Sequence, residues 1–158
     1  MKVMLVVVGR VKGALAGAVE EYETRAGRYW KLDVVEVDAG ASGRSPEPDR
    51  VRDAEAERIL SRIPDGFDVV ALTRRGKAMG SSDLARYLEG LAVQSRPGAA
   101  FVIGGAFGLG KDVLARAART LGLSAMTMPH EMARLILTEQ LYRAGTILRN
   151  EPYHKGVR

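Results

Sequence analysis

Five short runs of consecutive apolar residues punctuate the chain, at 3–8, 32–37, 67–72, 99–103 and 123–127, each rich in Val and Ile or bounded by turn residues. An unbroken apolar run, rather than one alternating with polar residues, is what a strand buried on both faces requires. Between the runs the spacing becomes helical. Leu15, Ala18, Val19, Tyr22, Ala26 and Tyr29 predict a helix over 15–30, and Ala54, Ile59, Leu60 and Ile63 predict one over 49–63. Leu84, Tyr87, Leu88 and Leu91 predict a third, capped by Ser81 or Ser82. A last helix follows Pro129 and runs from about Glu131 to Leu148. Its apolar residues, Met132, Leu135, Ile136, Leu137, Leu141, Ala144, Ile147 and Leu148, wrap much of the circumference. Such a helix needs contacts on more than one side, from its own chain alone or also from a second subunit. The strand and helix alternation predicts an α/β fold, a mostly parallel sheet with helices on both faces. One stretch, 39–48, holds small, polar and Pro residues without periodicity and reads as a mobile surface loop. Arg44 within it reads as a solvated side chain, with substrate contact as the alternative.

A length of 158 residues fits a single domain that buries a full core without staples. With no cysteine there is no disulfide framework, thiolate metal site or Cys nucleophile, and only His130 and His154 remain as imidazole ligands, so no metal is expected. The first apolar run is interrupted by Arg10 and Lys12, too early for a secretory or membrane-spanning segment, so the expected compartment is the cytoplasm, away from membranes. The net charge of +5 is unevenly placed: from Lys111 onward there are eight Lys and Arg against four acids. That balance suits a polyanionic partner.

The fourth apolar run ends in Gly104-Gly105-Ala106-Phe107-Gly108-Leu109-Gly110, four glycines in seven positions. Residues without Cβ at a strand end let a ligand lie against main-chain groups, which makes this a candidate binding site. Gly105 to Lys111 also satisfies the G-x-x-x-x-G-K half of a phosphate-binding loop. Asp112 follows where such a loop needs a hydroxyl for Mg²⁺, and a carboxylate there would repel a triphosphate. Asp112 instead suits the cap of a short helix. A nucleotide-binding protein of the P-loop type stays as an alternative.

Three segments belong together: Phe101 to Gly110, Leu123 to His130, and Leu141-Tyr142-Arg143-Ala144 with Asn150 to His154. In this order on a chain this short they resemble the RlmH family, small ribosomal RNA methyltransferases of the SPOUT superfamily, over essentially the whole chain. The resemblance implies a deep trefoil knot at the C-terminal end, with S-adenosylmethionine bent inside it and its adenine held by backbone groups. No periodicity hints at a knot, which is among the rare exceptions to unthreaded connections. Matched by position, the cofactor contacts fall on Leu72, Gly105, Ser124, Ala125, Met126, Thr127, Met128 and Pro129, and Gly104 with Gly105 lets the cofactor lie against the chain. Leu72 and Met128 offer apolar walls, and Thr127 or Ser124 a hydroxyl. On pattern alone, Leu123 to Met128 reads as a plain buried strand; the resemblance makes it a pocket wall.

The reaction that the resemblance implies is methylation of N3 of a pseudouridine in 23S ribosomal RNA, within the assembled ribosome, in the stem-loop that meets the small subunit near the decoding site. Methyl transfer from a sulfonium needs no enzyme-bound intermediate, but an imide N3–H is a poor nucleophile until its proton leaves. Arg143, Tyr153 and His154 match functionally important positions: Arg143 as anion stabiliser or RNA-phosphate clamp, His154 as base or positioner of the base. His130 reads as a helix-start histidine bonded to backbone. The resemblance further implies a homodimer in which the second subunit's C-terminal tail helps complete the site, with the basic C-terminal third facing RNA. A noncatalytic RNA-binding relative is the other alternative, against which the intact Arg143, Tyr153 and His154 argue. The chain departs from the family pattern at Ala106-Phe107, where Phe107 would alter the pocket rim, and in Gly156-Val157-Arg158, where Arg158 would add an RNA contact.

Overall fold

β1 (Lys2–Val8) shows how the apolar runs are used. Val3, Leu5 and Val7 point into one hydrophobic layer, while Met4, Val6 and Val8 point into a second on the opposite face. A strand with period-2 side chains and a core on each side must be apolar at every position. In the computed structural model, which describes residues 1–40 and 45–154, β1 joins β2 (Lys31–Val37), β3 (Asp68–Ala78), β4 (Gly98–Ile103) and β5 (Arg119–Gly122) in one sheet. The order is β2-β1-β4-β3-β5 and every pairing is parallel. Arg44 and Gly156-Val157-Arg158 lie outside the described residues.

α1 (Ala16–Ala26), α3 (Ser81–Val93) and α5 (His130–Leu148) supply the first layer, and α2 (Pro48–Leu60) and α4 (Lys111–Arg116) the second. The expected α/β architecture with helices on both faces is what forms. α3 thus leaves β3 on one side of the sheet while α4 leaves the neighbouring β4 on the other, which opens a crevice at the strands' carboxyl ends. α5 packs on both α1 and α3, with Leu137, Leu141 and Ala144 buried. Arg134, itself buried, binds Glu23 of α1 and Glu36 of β2, each at 2.8 Å. Met132 stays exposed, and Leu135 and Ile136 are only half-buried.

Four sequence expectations are corrected. The fifth strand is Arg119–Gly122, not 123–127. As an edge strand paired only with β3 it tolerates Arg119 and Thr120, whereas the more apolar 123–128 is loop whose side chains face the crevice or solvent. α1 ends at Ala26, because Gly27 to Trp30 turn back on it through amides donating to the Glu23, Arg25 and Ala26 carbonyls. Ser81 does not cap α3: Gly80 holds that position, its N–H donating to Asp83, while the Ser81 hydroxyl donates to Gln140 of α5 at 2.6 Å. Asp112 does not cap α4 either; Gly110 does, and Asp112 lies in the first turn at the positive end of the helix.

Candidate active site

The crevice is a cleft of about 270 Å³ at the carboxyl ends of β3, β4 and β5. Leu72, Thr73 and Arg74 line it from β3, residues from Ile103 to Leu109 from the end of β4, and residues from Leu121 to Met128 from β5 and the loop after it. His130 and Ala133, in the first turn of α5, close the far side. Of the expected cofactor contacts, Leu72, Gly104, Gly105, Ser124, Met126, Thr127 and Met128 lie together on this lining. Ala125 and Pro129 are exposed and do not line it. The walls are mostly apolar, relieved by the Thr73, Ser124 and Thr127 hydroxyls and by Arg74, whose Nη1 donates to Thr127 Oγ1 at 3.1 Å. An apolar cleft with a few placed polar groups is the usual form of a small-molecule site.

The glycines are there for a different reason than ligand approach alone. A Cβ on Gly104 would sit 2.9 Å from the carbonyl carbon of Gly108, and one on Gly105 would sit 3.1 Å from both carboxylate oxygens of Glu55. Both bare positions are demanded by the protein behind the loop. Gly108, at φ +79°, closes a turn by donating its N–H to Gly105 O at 3.0 Å. Gly110 backs onto α2, where a Cβ would meet Arg52 O at 2.9 Å. The G-x-x-x-x-G-K spacing is therefore accounted for by a turn and a helix contact. Phe107 does not line the cleft; its carbonyl accepts from Arg52 Nη1 at 3.2 Å. Among the described residues His130 makes no side-chain hydrogen bond to backbone; its ring lies against Gly9 and forms part of the cleft.

Arg143, Tyr153 and His154 gather elsewhere. After α5, Asn150 adopts φ +54°, a left-handed conformation that asparagine tolerates, and the chain reverses into a short 3-10 turn at Pro152–His154. Tyr29 donates to Glu151 at 2.5 Å and pins the reversal. Tyr153 is thereby brought back to α5, where its hydroxyl donates to Glu139 Oε1 at 2.8 Å. Arg143 donates to the same oxygen through Nη2 at 2.6 Å and Nε at 3.1 Å, and its guanidinium lies 4.9 Å from the Tyr153 ring centre. Glu139 was not singled out in the sequence; its i,i+4 spacing from Arg143 was the available signal. The hydrogen bond to Glu139 holds the Arg143 guanidinium firmly charged. Burial first, and Glu139 second, push the Tyr153 phenol above its ordinary pKa, so it is a neutral donor near pH 7. The buried Nδ1 of His154 has no hydrogen-bond partner among the described residues. Since His130 lines the cleft and Arg143 sits thirteen residues further along the same helix, the two sites are about 20 Å apart at 1.5 Å per residue.

The family model described as predicted SPOUT methyltransferase matches residues 1–154. The chain belongs to the SPOUT methyltransferase family. A protein of Gemmatimonas aurantiaca named ribosomal RNA large subunit methyltransferase H is 51% identical over 156 residues, covering 98% of this chain and 100% of that relative. A protein of the same name from Clostridium beijerinckii is 42% identical over 159 residues, again covering 98% of this chain and all of the relative. Among solved structures, a Legionella pneumophila protein described as a methyltransferase in complex with bound SAM has a TM-score of 0.50 at 11% identity, covering 91% of this chain and 66% of that one. That likeness speaks for a shared fold alone. Among the described residues no helix is long and apolar enough to cross a membrane, and no three His, Asp or Glu side chains are grouped to hold a metal ion.

Proposed function

We propose that this SPOUT protein is an S-adenosylmethionine-dependent methyltransferase of the large ribosomal subunit that methylates N3 of a pseudouridine in 23S rRNA on the assembled ribosome, as a cytoplasmic homodimer. The observation that carries this reading is the cleft itself: apolar walls, three hydroxyls and bare backbone at the strand ends of a chain that matches the family over 1–154. Its lining fits a nucleoside with a charged tail. Leu72 and Met128 suit a purine face, Ser124 and Thr127 suit ribose hydroxyls, and Gly104, Gly105 and Met126 complete the enclosure, with Ala125 and Pro129 on the rim. When bound there, S-adenosylmethionine supplies an electrophilic methyl on a sulfonium, a good leaving group.

The remaining work is to make N3 of the base nucleophilic. Arg143, held charged by Glu139, is suited to stabilising the imide anion. The Glu139 oxygens are already occupied, since Arg143, Tyr153 and Gln140 all donate to them. Tyr153, a neutral donor, fixes the tail on α5. His154, whose Nδ1 has no partner among the described residues, serves as the base or as positioner of the base. These groups and the cleft stand about 20 Å apart in one chain. The reading therefore has each cleft completed by the tail of a second copy, with the half-exposed Met132, Leu135 and Ile136 of α5 available for that contact. The close backbone approach of Gly76 and Gly122, where a Cβ on Gly76 would fall 2.7 Å from Gly122 N, suits the tight threading of a knotted C-terminal segment.

The test incubates the protein and S-adenosylmethionine with ribosomes lacking the modification and looks for 3-methylpseudouridine by nucleoside mass spectrometry. The expected result is its appearance in large-subunit rRNA. Its absence, with cofactor binding intact, would overturn the assignment in favour of another target or a noncatalytic RNA-binding relative.

A further inference from the structure

Three exposed cations stand on one bulge beside the cleft. β3 separates from β4 after Ala71, and Leu121 of β5 pairs with both Leu72 and Lys77, so the residues between them loop outward. Arg74, Arg75 and Lys77 are exposed on this bulge, and among the described residues none of them is in an ion pair. The cations of the C-terminal third are differently placed. Arg116 donates to Phe67 O at 3.1 Å, Arg119 stacks 3.9 Å over Tyr87, Arg134 and Arg143 bind carboxylates, and Arg149 lies 4.8 Å over Tyr29. The fold engages those five side chains, while Arg75 and Lys77 on the bulge, like the exposed Lys111, are in no ion pair or side-chain hydrogen bond among the described residues.

The bulge is also held in place. A Cβ on Gly76 would fall 2.7 Å from Gly122 N, and one on Gly122 would fall 2.5 Å from Gly76 O, so backbone lies directly on backbone. The bond from Arg74 to Thr127 ties its other end to the cleft rim. Like charges this close repel one another, a cost that a polyanion relieves, and a fixed backbone lowers the ordering cost of the encounter. Across the cleft, Gly9 touches His130, which places the exposed Arg10 and Lys12 at the same edge of the sheet.

We infer that the bulge carrying Arg74, Arg75 and Lys77 grips the RNA phosphate backbone beside the target base. The inference rests on the rRNA methyltransferase reading and adds the β3 bulge to the electrostatic contacts expected of the C-terminal third. Arg74 also braces the cleft, so the test uses Arg75→Ala with Lys77→Ala. Binding of large-subunit rRNA is measured by filter retention at several salt concentrations, alongside kcat and KM for methyl transfer to unmodified ribosomes. Two lost phosphate contacts predict a salt slope shallower by about 1.5 and affinity reduced roughly tenfold near 0.1 M salt. KM for ribosomes should rise in proportion while kcat and cofactor affinity stay put. Lys31→Ala with Arg62→Ala, two exposed cations at the opposite edge of the sheet, should leave binding unchanged. A bulge variant with the unaltered slope and affinity overturns the inference. Binding is read without catalysis, so failure of the unaltered chain to transfer methyl strikes the methyltransferase reading separately.

Discussion

The cleft and the Arg143 cluster are built on opposite principles. The cleft is made by backbone: a turn closed from Gly108 to Gly105, glycines backed by Glu55 and Arg52, and apolar side chains at three strand ends. The cluster is made by side chains: one carboxylate, Glu139, collects Arg143 and Tyr153, and a left-handed Asn150 turns the tail back to meet them. The first is suited to enclosing a small molecule, the second to holding a cation and an imidazole ready for a base. On the proposed reading, binding and chemistry are divided between these two places, about 20 Å apart along α5, and a second copy brings them together.

The sharpest way to break that comparison is Arg143→Ala. Methyl transfer should fall by at least about 100-fold in kcat, the scale of losing a transition-state charge stabiliser, while cofactor affinity measured by calorimetry stays within about twofold. Equal losses in both would merge the two regions into one. A smaller effect follows from Gly104→Ala, whose Cβ meets Gly108 at 2.9 Å and must displace the turn. Cofactor affinity should drop by about tenfold, with kcat at saturating cofactor nearly retained. The pair also tests the shared site: refolded together in equal amounts and assayed well below the cofactor concentration that saturates the unaltered protein, where each variant alone is weak, they should reach about a quarter of the unaltered activity, since half the dimers then carry one intact site of two. No recovery would place both regions in the same chain's site.

The smallest effect concerns stability at alkaline pH. Burial and Asp68 raise the Tyr87 phenol above its ordinary value, as burial and Glu139 raise that of Tyr153. A raised acid favours the folded state while protonated, so this stabilisation is complete below about pH 10 and is lost as pH climbs through the folded values. Tyr87→Phe should flatten the fall in unfolding free energy above pH 10 by at most about 1 kcal/mol per pH unit, measured by denaturant titration. An unchanged alkaline slope would mean that Tyr87 ionises alike in the folded and unfolded chain.

How far these features could be read beforehand follows from what makes them. β1 and β4 were legible because burial on both faces demands apolar residues at every position, and that demand is written in consecutive letters. β5 was misplaced by the same rule: an edge strand can be Arg119-Thr120-Leu121-Gly122, while the apolar Met126 and Met128 serve the crevice. Most of the cleft lining was located through the match of its motifs to a family, and the spacing of Gly105 to Lys111 on its own pointed toward a phosphate loop. The bulge of β3 left no periodic trace: the third apolar run ended at 72, short of Ala78, and Arg74, Arg75 and Lys77 beyond it were not singled out.

Sequence by itself determined the alternation of elements and the two apolar faces of the sheet, because these depend on local composition and short periods, and the family, through the order of its motifs. Tertiary structure alone decided that Glu139 joins Arg143 to Tyr153, that Glu55 stands behind Gly105, and that His130 belongs to the cleft while Arg143 does not. Those relations hold between residues that no short-range pattern connects, and they arise where strand ends, a helix start and a reversed tail are packed against one another.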